Sequence, residues 1–210
     1  MSVVNGYLSR NSLKAFIGIP DSDSVDDSLL DNSINAACRQ IDAFCGRKFY
    51  ADTNATARKY FTNHPYRLFV DDISTTTGLV VKYDDNDDGT FETTVPSASY
   101  NLLPLNGVVG GIEISPFYVI ELISDGDYEW PLSKFSNRPF AELTAKWGYP
   151  SIPEPIIQAA TLLSGELFAM RNAPLGVAGV ADFGVVNIQQ NREVTRLLAP
   201  FRKGSVLGVV

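Results

Sequence analysis

Residues 145–186 decide the fold and read AKWGYPSIPEPIIQAATLLSGELFAMRNAPLGVAGVADFGVV. An aromatic strand end is predicted to stop at Gly148-Tyr149-Pro150, and a helix follows. Pro153 and Pro155 are tolerated only in the first turn of a helix, so they fix where it begins. Its apolar residues cover more than one face, and several of its positions are small. We therefore expect a helix, ending near Met170, that is buried on several sides.

Two shorter helices are predicted near the two ends of the chain. Ser9 is suited to cap the first helix and Gly18 to end it. Its expected inward face is formed by Leu13, Phe16 and Ile17. The second spans residues 192–201, with inward residues Val194, Leu197, Leu198 and Phe201. Both show the apolar spacing of amphipathic helices.

A longer amphipathic helix of about five turns is predicted between Ser24 and Gly46. Asp27 stands at the acidic position of a capping box, and Asp31 falls on the polar face. Cys38 and Cys45 lie two turns apart, about 10 Å, which is too far for a disulfide. We expect them to be buried thiols of a protein made in a reducing compartment.

The middle of the chain, residues 51–146, has the texture of a β structure. Short runs of Thr, Tyr, Phe and Val alternate with turn residues and show no helical period. This pattern favours an antiparallel sheet or a small barrel. Strands are predicted near residues 58–62, 67–70, 79–83, 90–95, 100–103, 111–114, 117–123 and 142–147.

Composition and charge exclude several classes of protein. The 45% hydrophobic and 20% charged residues are ordinary for a globular protein. A net charge of -7 argues against gripping nucleic acid, which needs clustered Lys and Arg. No basic start followed by an apolar run indicates a signal peptide, and no apolar run reaches the length of a membrane span. We expect a soluble protein made in a cytosol, with no membrane partner.

One acidic hairpin tip resembles the start of a calcium loop. Asp84, Asn86 and Asp88 alternate, and Gly89 follows them, as in loops whose oxygen ligands converge on Ca²⁺. The twelfth position, however, is Val95 instead of a bidentate Glu, and the flanks are predicted strands. Turn geometry explains the same residues. No metal or other cofactor is therefore predicted, and these three residues stay weak candidates.

No enzyme class is indicated. His64, the single histidine, lies in a predicted turn, whereas a nucleophilic dyad would need a cysteine beside it. One histidine and two buried cysteines also make a poor zinc set. The acidic pairs Asp71-Asp72 and Asp125/Asp127 are predicted to lie in solvated turns. A catalytic site is not predicted.

Segments rich in Gly and small apolar residues are candidates for contacts between subunits. Residues 173–186 carry few charges for so long a loop, residues 106–111 suit an interface loop, and the tail 204–210 is too short to bury anything alone. The candidate assembly contacts are Gly176, Val177, Ala178, Gly179, Val180, Phe183, Val206, Leu207, Val209 and Val210.

The order of three motifs resembles head-to-tail adaptor (head-completion connector) proteins of tailed double-stranded DNA bacteriophages. The motifs are Ile41-Asp42-Ala43-Phe44-Cys45-Gly46-Arg47-Lys48-Phe49, Trp147-Gly148-Tyr149-Pro150 and Leu197-Leu198-Ala199-Pro200-Phe201-Arg202. They stand where such proteins have a Cys-Gly-Arg-x-Phe helix end, a Tyr-Gly-Tyr-Pro-like turn and a terminal Leu-Leu-x-Pro-Tyr-Arg helix. The likeness covers both helical ends, roughly half of the chain.

This resemblance implies an α+β fold, a helical bundle formed by the N- and C-terminal segments with an inserted antiparallel β-rich domain. The corresponding divisions are residues 1–50, 51–147 and 148–210. It implies a virion structural protein at the head-tail interface, assembled in the bacterial host cytoplasm. The implied partners are further copies of the chain in a ring, typically of twelve, the portal protein, and a downstream head-closure or tail protein. Double-stranded DNA would pass through without specific binding.

The competing interpretation is a calcium-binding β-rich module of a surface or adhesion protein, mounted on a helical base. It takes the acidic hairpin as the functional element and the helices as a support. The two interpretations differ in whether the Asp84 loop binds calcium.

Overall fold

The computed structural model describes residues 2–109, 115–124, 126–131, 138–170 and 191–203. The predicted strand near 111–114, the loop after the third helix and the C-terminal tail lie outside them. The chain divides into two compact units, which we call the helical unit (Met1–Phe49 with Ile152–Val210) and the β unit (Tyr50–Ser151).

The helical unit combines the two ends of the chain. Its helices are α1 (Arg10–Ile17), α2 (Asp27–Cys45), α3 (Glu154–Ala169) and α4 (Arg192–Leu198), and a 3₁₀ turn, Ala199–Phe201, follows α4. Helix α3 packs on α1, α2 and α4. Their shared core is apolar and includes Leu13, Leu30, Ile34, Ile41, Ile156, Leu163, Val194 and Leu198. The predicted bundle of N- and C-terminal helices is confirmed.

The local signals at the helix ends account for most boundaries. The Ser9 hydroxyl accepts a hydrogen bond from the Ser12 amide, and Gly18 ends α1 in the left-handed conformation. Gly46 ends α2 in the same way, with its amide donating to the Asp42 carbonyl. Helix α3 begins at Glu154 directly after Pro153, and Pro155 lies in its first turn. These caps satisfy backbone groups that a helix leaves unpaired at its ends.

The predicted capping box of α2 is wrong. Helix α2 begins at Asp27, and its N-cap residue, Asp26, makes no side-chain cap. The Asp27 carboxylate instead forms ion pairs with Lys14 at 2.6 Å and with Arg10 at 2.5 Å. The Arg10 guanidinium also donates to both carboxylate oxygens of Asp31, at 2.7 and 2.5 Å. A charge network therefore joins α1 to the start of α2.

Two predicted orientations in α1 and α2 are wrong, those of Phe16 and Asp31. Lys14 is buried because its ammonium group reaches Asp27 and the carbonyl oxygen of Asp23, the latter at 2.5 Å. Phe16, predicted to face inward, is 51% exposed. Asp31, predicted on the polar face, is fully buried against Arg10. Apolar periodicity cannot show a buried salt bridge, since it scores charged residues as solvent-facing.

Acid should weaken the helical unit through Asp27. The hydrogen bond from Lys14 holds the pKa of the Asp27 carboxyl below its usual range. A depressed pKa adds stability above the pKa of the unfolded chain, and this is lost as the pH falls through the folded-state pKa. We expect the stability gap between wild type and Asp27→Asn to narrow from about pH 5 to about pH 2. Urea unfolding at stepped pH measures this gap, and a gap independent of pH would contradict the assignment.

The two cysteines are free and buried, as predicted. Burial raises the pKa of the Cys38 thiol to about 11 and that of the Cys45 thiol to about 12. The Cys38 sulfur accepts a hydrogen bond from the Tyr7 amide at 3.3 Å. Such thiols are poor nucleophiles at neutral pH.

The β unit holds two antiparallel sheets. Its strands are β1 (Thr56–Tyr60), β2 (Arg67–Ile73), β3 (Val80–Tyr83), β4 (Thr93–Val95), β5 (Tyr100–Leu103), β6 (Phe117–Leu122) and β7 (Ala141–Ala145). One sheet has the order β1-β7-β3-β4 and the other has the order β2-β6-β5. The inserted antiparallel β structure predicted from the sequence is confirmed.

The two sheets share one apolar core. It contains Leu68, Val70, Ile73, Val81, Val95, Ile120, Leu122, Trp130, Phe140, Ala141, Leu143, Ala145 and Trp147. Strand β4 leads through a 3₁₀ turn, Ser97–Ser99, directly into β5, which links an edge of each sheet. The alternation of buried and exposed residues along β2 and β7 follows the period of two that strands impose.

The predicted turn at Asp71-Asp72 is wrong, because both residues lie in β2. The register between β2 and β6 shifts between Phe69 and Ile73, so the strand is irregular at this point. The Asp71 carboxylate accepts hydrogen bonds from Arg58 at 2.6 Å and from the Tyr60 hydroxyl at 3.1 Å. An irregular stretch of strand accommodates polar residues that a regular ladder would place against the core.

Among the described residues, no helix has both the length and the apolar character that crossing a membrane requires.

Candidate assembly surface and acidic loop

The acidic hairpin tip between β3 and β4 is organised by one buried carboxylate, that of Asp84. Its Oδ1 atom accepts hydrogen bonds from the amides of Asn86, Asp87 and Asp88 at 3.2, 2.7 and 3.3 Å. Its Oδ2 atom accepts from the Gly89 amide at 2.6 Å. The chain closes around this side chain because successive amides point at a single acceptor.

Three acidic side chains meet at the tip. One ligand oxygen from each of Asp84, Asp88 and Glu92 lies within 4.8 Å of the others. Glu92 was not among the predicted candidates, although it occupies position nine when Asp84 is position one of a calcium loop. The Asn86 side-chain oxygen Oδ1 accepts a hydrogen bond from the Asp88 backbone amide at 3.0 Å. The sequence signal for Glu92 is therefore its spacing of eight residues from Asp84.

The carboxyl groups at the tip have pKa values shifted in opposite directions. The Thr90 hydroxyl, hydrogen-bonded to Asp88, lowers the pKa of the Asp88 carboxyl. The pKa of Glu92 is raised: its own backbone amide lowers it, but partial burial and the carboxylates of Asp85 and Asp88 raise it more. Arg138 donates to the Asp88 carbonyl oxygen at 3.2 Å and supplies a positive charge beside the tip. Such a cluster of carboxylates suits a hard cation. The hydrogen bonds from the loop's own amides to Asp84, however, explain the conformation of the turn without one.

Asp84→Ala should destabilise the β unit whether or not calcium is added. It removes the acceptor of four backbone amides, and we expect a loss of about 2–3 kcal/mol because hydrogen bonds to a charged group are strong. Thermal unfolding with EDTA and with calcium measures this loss. Asp85→Ala is the matched control: its carboxylate accepts a hydrogen bond from the Thr93 hydroxyl at 3.1 Å and lies beside Glu92, whereas the four loop amides donate to Asp84. Equal stability of the two variants would contradict the role given to Asp84.

His64 lies in a surface turn, as predicted. Its Nδ1 atom accepts hydrogen bonds from the amides of Tyr66 and Arg67, both at 3.1 Å. The ring therefore closes the turn before β2. Neither this acceptor nor the buried thiols of α2 has the arrangement of a nucleophile with its base.

The first recognised motif, residues 41–49, makes buried contacts within the helical unit through Asp42 and Phe49. The Tyr7 hydroxyl donates to the Asp42 carboxylate and accepts from the Phe49 amide at 2.9 Å. Burial, with the nearby Asp42, raises the pKa of Tyr7 well above its usual range. The Phe49 ring makes edge contacts with Tyr7 and with Phe201, each with ring centroids 5.9 Å apart. Two recognised motifs therefore meet at Phe49.

The Trp-Gly-Tyr-Pro motif closes the β unit. Trp147 is buried, and its indole donates to the Thr56 carbonyl oxygen at 2.9 Å. The Arg58 guanidinium lies 4.6 Å from the centre of the Trp147 ring, a cation–π contact. Gly148 has a φ of 115° and donates to the Asp72 carbonyl oxygen at 2.7 Å. The motif joins the end of β7 to β2.

A side-chain hydrogen bond joins α3 to Asn191, the residue before α4. The Asn191 amide group donates to the Glu166 carboxylate of α3, and its oxygen caps α4 by accepting from the Val194 amide at 3.1 Å. Burial raises the pKa of Glu166. This hydrogen bond places the start of α4 beside α3.

The candidate assembly contacts all lie outside the described residues. They are Gly176, Val177, Ala178, Gly179, Val180, Phe183, Val206, Leu207, Val209 and Val210. Within the described part of the chain, the β unit exposes large apolar side chains at Phe61, Phe69, Val80, Leu105, Val108 and Val109. Three of these fall in or beside the predicted interface loop 106–111.

Comparison with known proteins gives a likeness in fold. No protein-family model matches the chain, and no curated protein matches its sequence. A chain in the neck of an empty GTA (gene transfer agent) particle, computed with C6 symmetry, matches with a TM-score of 0.58 and 18% identity. A chain in the neck of a native GTA particle, computed with C12 symmetry, matches with a TM-score of 0.56 and 15% identity. Each match covers 100% of this chain and 96% of the other.

At these identities the likeness establishes the fold. It includes both the helical ends and the inserted sheets, and so extends beyond the three recognised motifs. The resemblance to connector proteins drawn from the sequence is thus confirmed at the level of the fold, along the full chain.

Proposed function

We propose that the protein is a structural head-to-tail connector of a phage-like particle. The observation that carries the proposal is the full-length likeness to neck chains, since an independent order of sequence motifs points to the same class. The chain would act by shape and contact, without catalysis. Fold alone does not determine function, so agreement between two separate sources matters.

In this role copies of the chain form a ring under the portal, typically of twelve, and hand the DNA channel to a head-closure or tail protein. A ring closes when one surface of each copy meets a different surface of the next. The net charge of -7 suits a channel that double-stranded DNA passes through without adhering. The protein would be made in the host cytoplasm and act in the virion.

Electron microscopy of purified protein, with and without portal protein, tests the proposal. We expect rings, alone or as a collar on the portal. Monodisperse monomers under both conditions, with no binding to portal, would contradict it.

We propose the loop 176–184 and the tail 204–210 as the ring or portal contacts, because both are apolar and nearly uncharged. Deleting residues 204–210 should weaken assembly onto the portal. Full-affinity assembly of the deletion would remove the tail from the proposal.

The second candidate is a calcium-binding β module mounted on helices, and the meeting of Asp84, Asp88 and Glu92 favours it. Titration calorimetry with calcium separates the candidates. Binding that Glu92→Gln weakens, in a variant that keeps wild-type stability, would support the second. The connector proposal requires no calcium binding.

A further inference from the structure

The net charge of the chain comes from one of its two units. The helical unit has ten Lys and Arg and ten Asp and Glu, whereas the β unit has seven and fourteen. The β unit therefore carries the whole net charge of -7, and the helical unit is neutral in total. Each unit also has one surface on which charges of a single sign are concentrated.

The helical unit is basic where α2 ends. Residues 43–48 and 199–203 contain no acidic residue and four basic ones, Arg47, Lys48, Arg202 and Lys203. The last two of these are exposed, and the first two are half-buried. We call the surface formed by these four residues the basic end.

Two contacts bring these stretches together. The Lys203 backbone amide donates a hydrogen bond to the Cys45 carbonyl oxygen at 2.8 Å. The Arg202 guanidinium lies 5.1 Å from the centre of the Phe44 ring, a cation–π contact. The basic residues that follow α2 and those that follow α4 therefore lie at one place.

The needs of the helix end do not account for so many cations. The C-terminal end of a helix carries about half a negative charge, which a single cation compensates. The Asp42 carboxylate, three residues before the end of α2, is already paired with Arg39 at 3.0 Å and accepts from the Tyr7 hydroxyl. The four cations exceed what the helix end requires, so the basic end suits an anionic partner.

The β unit has a surface of the opposite sign at its acidic tip. Residues 84–92 contain five acidic residues and no basic one. Asp85, Asp88 and Glu92 are exposed, and the carboxylates of Asp85 and Asp88 repel that of Glu92. A partner that brings positive charge to the tip would relieve this repulsion.

Ring closure favours a second copy as the partner of both surfaces. A ring closes when one surface of each copy meets a different surface of the next. The basic end and the acidic tip are two such surfaces, opposite in sign and present on the same chain. Complementary charges also guide the encounter and fix its register. One contact between neighbouring copies would compensate both surfaces.

Duplex DNA, the other polyanion in the proposed setting, fits the basic end less well. It offers only negative charge to a chain whose net charge is -7, and to Asp42, which lies beside Lys48. It also leaves the repulsion within the acidic tip without relief. The tip of a second copy instead brings Arg138, which donates to the Asp88 carbonyl oxygen at 3.2 Å, together with its carboxylates.

We propose that the basic end of one copy docks on the acidic tip of the next copy. The inference rests on the proposed ring and names one contact that would close it. Arg202 and Lys203 are the basic partners, and Asp85 and Glu92 are the acidic ones, because these four side chains are exposed. The proposed tail contact begins directly after Lys203 in the sequence, so the two contacts are continuous.

Charge reversal in separate chains tests this contact. The first variant is Arg202→Glu with Lys203→Glu, and the second is Asp85→Lys with Glu92→Lys. Each alone should lose self-association by about tenfold or more, because like charges would then face each other. An equimolar mixture should form rings again, since each reversed surface meets its complement on the other chain.

Sedimentation velocity in EDTA, with and without portal protein, measures assembly, and circular dichroism with thermal unfolding verifies the fold. The EDTA removes any contribution from a bound divalent cation. Asp21→Lys is the control, because Asp21 is exposed in the loop before α2 and belongs to neither surface. It should assemble like the wild type.

A second measurement needs no charge reversal. Chains carrying Lys203→Cys are mixed with chains carrying Glu92→Cys and oxidised with copper phenanthroline. Cys38 and Cys45 are buried, so the new thiols are the accessible ones. We expect a disulfide between the two kinds of chain, and none within either kind alone.

Several outcomes would overturn the inference while leaving the connector role intact. They are normal rings from either charge-reversed variant alone, no rings from their mixture, or no disulfide between the two cysteine variants in rings. Normal rings of the first variant that bind duplex DNA more weakly than wild-type rings would assign the basic end to DNA instead. No rings from the wild type, with or without portal, would overturn the connector role itself.

Discussion

Gly148→Ala is expected to prevent stable folding of the β unit. A Cβ atom at this position would lie 1.9 Å from the Tyr50 carbonyl oxygen and 2.9 Å from its carbonyl carbon. Both atoms are backbone, so no side-chain rotation relieves the overlap. The φ of 115° adds strain for any residue with a side chain. Together these should cost about 4 kcal/mol or more, which lies in the severe tail of single substitutions.

Gly78→Ala is the control that separates backbone strain from overlap. Gly78 also has a positive φ, of 79°, but a Cβ there would meet nothing within 4 Å. We expect it to cost about 1 kcal/mol from strain alone. Thermal unfolding, followed by near-ultraviolet circular dichroism of the buried tryptophans, should show a midpoint lowered by about 15 °C or more for Gly148→Ala. Similar midpoints for the two variants would refute the close approach of Tyr50.

Gly148 also shows what sequence can and cannot reveal. The aromatic-Gly-Tyr-Pro order predicts where the strand ends, because turn residues interrupt an alternating pattern. It cannot show that the backbone of Tyr50 passes against this glycine, since the two are far apart in the chain. The helix ends were predictable for the opposite reason. Ser9, Gly18 and Gly46 act on backbone groups within a few residues of themselves.

The errors at charged residues share one physical cause. Lys14, Asp31 and Asp72 are buried, yet hydrophobic periodicity assigns charged residues to the surface. A charge is buried only when partners from other elements compensate it, and those partners are set by tertiary structure. Arg10 reaching Asp31 across two helices is such a case. Sequence patterns record average exposure and miss these pairings.

The candidate sites also differ in whether a local sequence pattern predicts them. The acidic tip was predictable as a loop because Asp84-x-Asn86-x-Asp88-Gly89 is a local pattern. The side-by-side position of Phe69, Val119 and Leu103 was not, because it depends on the register of three strands. The apolar composition of residues 106–111 predicted an interface loop from the sequence alone.

Phe49→Ala is expected to have the largest effect in the helical unit. Phe49 is fully buried, and its ring contacts Tyr7 near the N-terminus and Phe201 near the C-terminus. Removing a buried phenylalanine ring usually costs about 3–5 kcal/mol through lost transfer energy and the cavity that remains. Two edge-to-face contacts between rings are lost as well. Because both chain ends meet at this ring, we expect the helices to lose stability together.

Denaturant unfolding followed by the helical circular dichroism signal measures this effect, with two comparison variants. Phe49→Leu keeps most of the volume and should cost about 1.5 kcal/mol. Phe16→Ala removes a ring that is 51% exposed and should cost about 1 kcal/mol or less. We therefore expect Phe16→Ala to be the most stable variant, Phe49→Leu to be less stable, and Phe49→Ala to be the least stable. If Phe49→Ala were no less stable than Phe16→Ala, Phe49 would not join the two ends of the chain, and the shared position of the two recognised motifs would need another explanation.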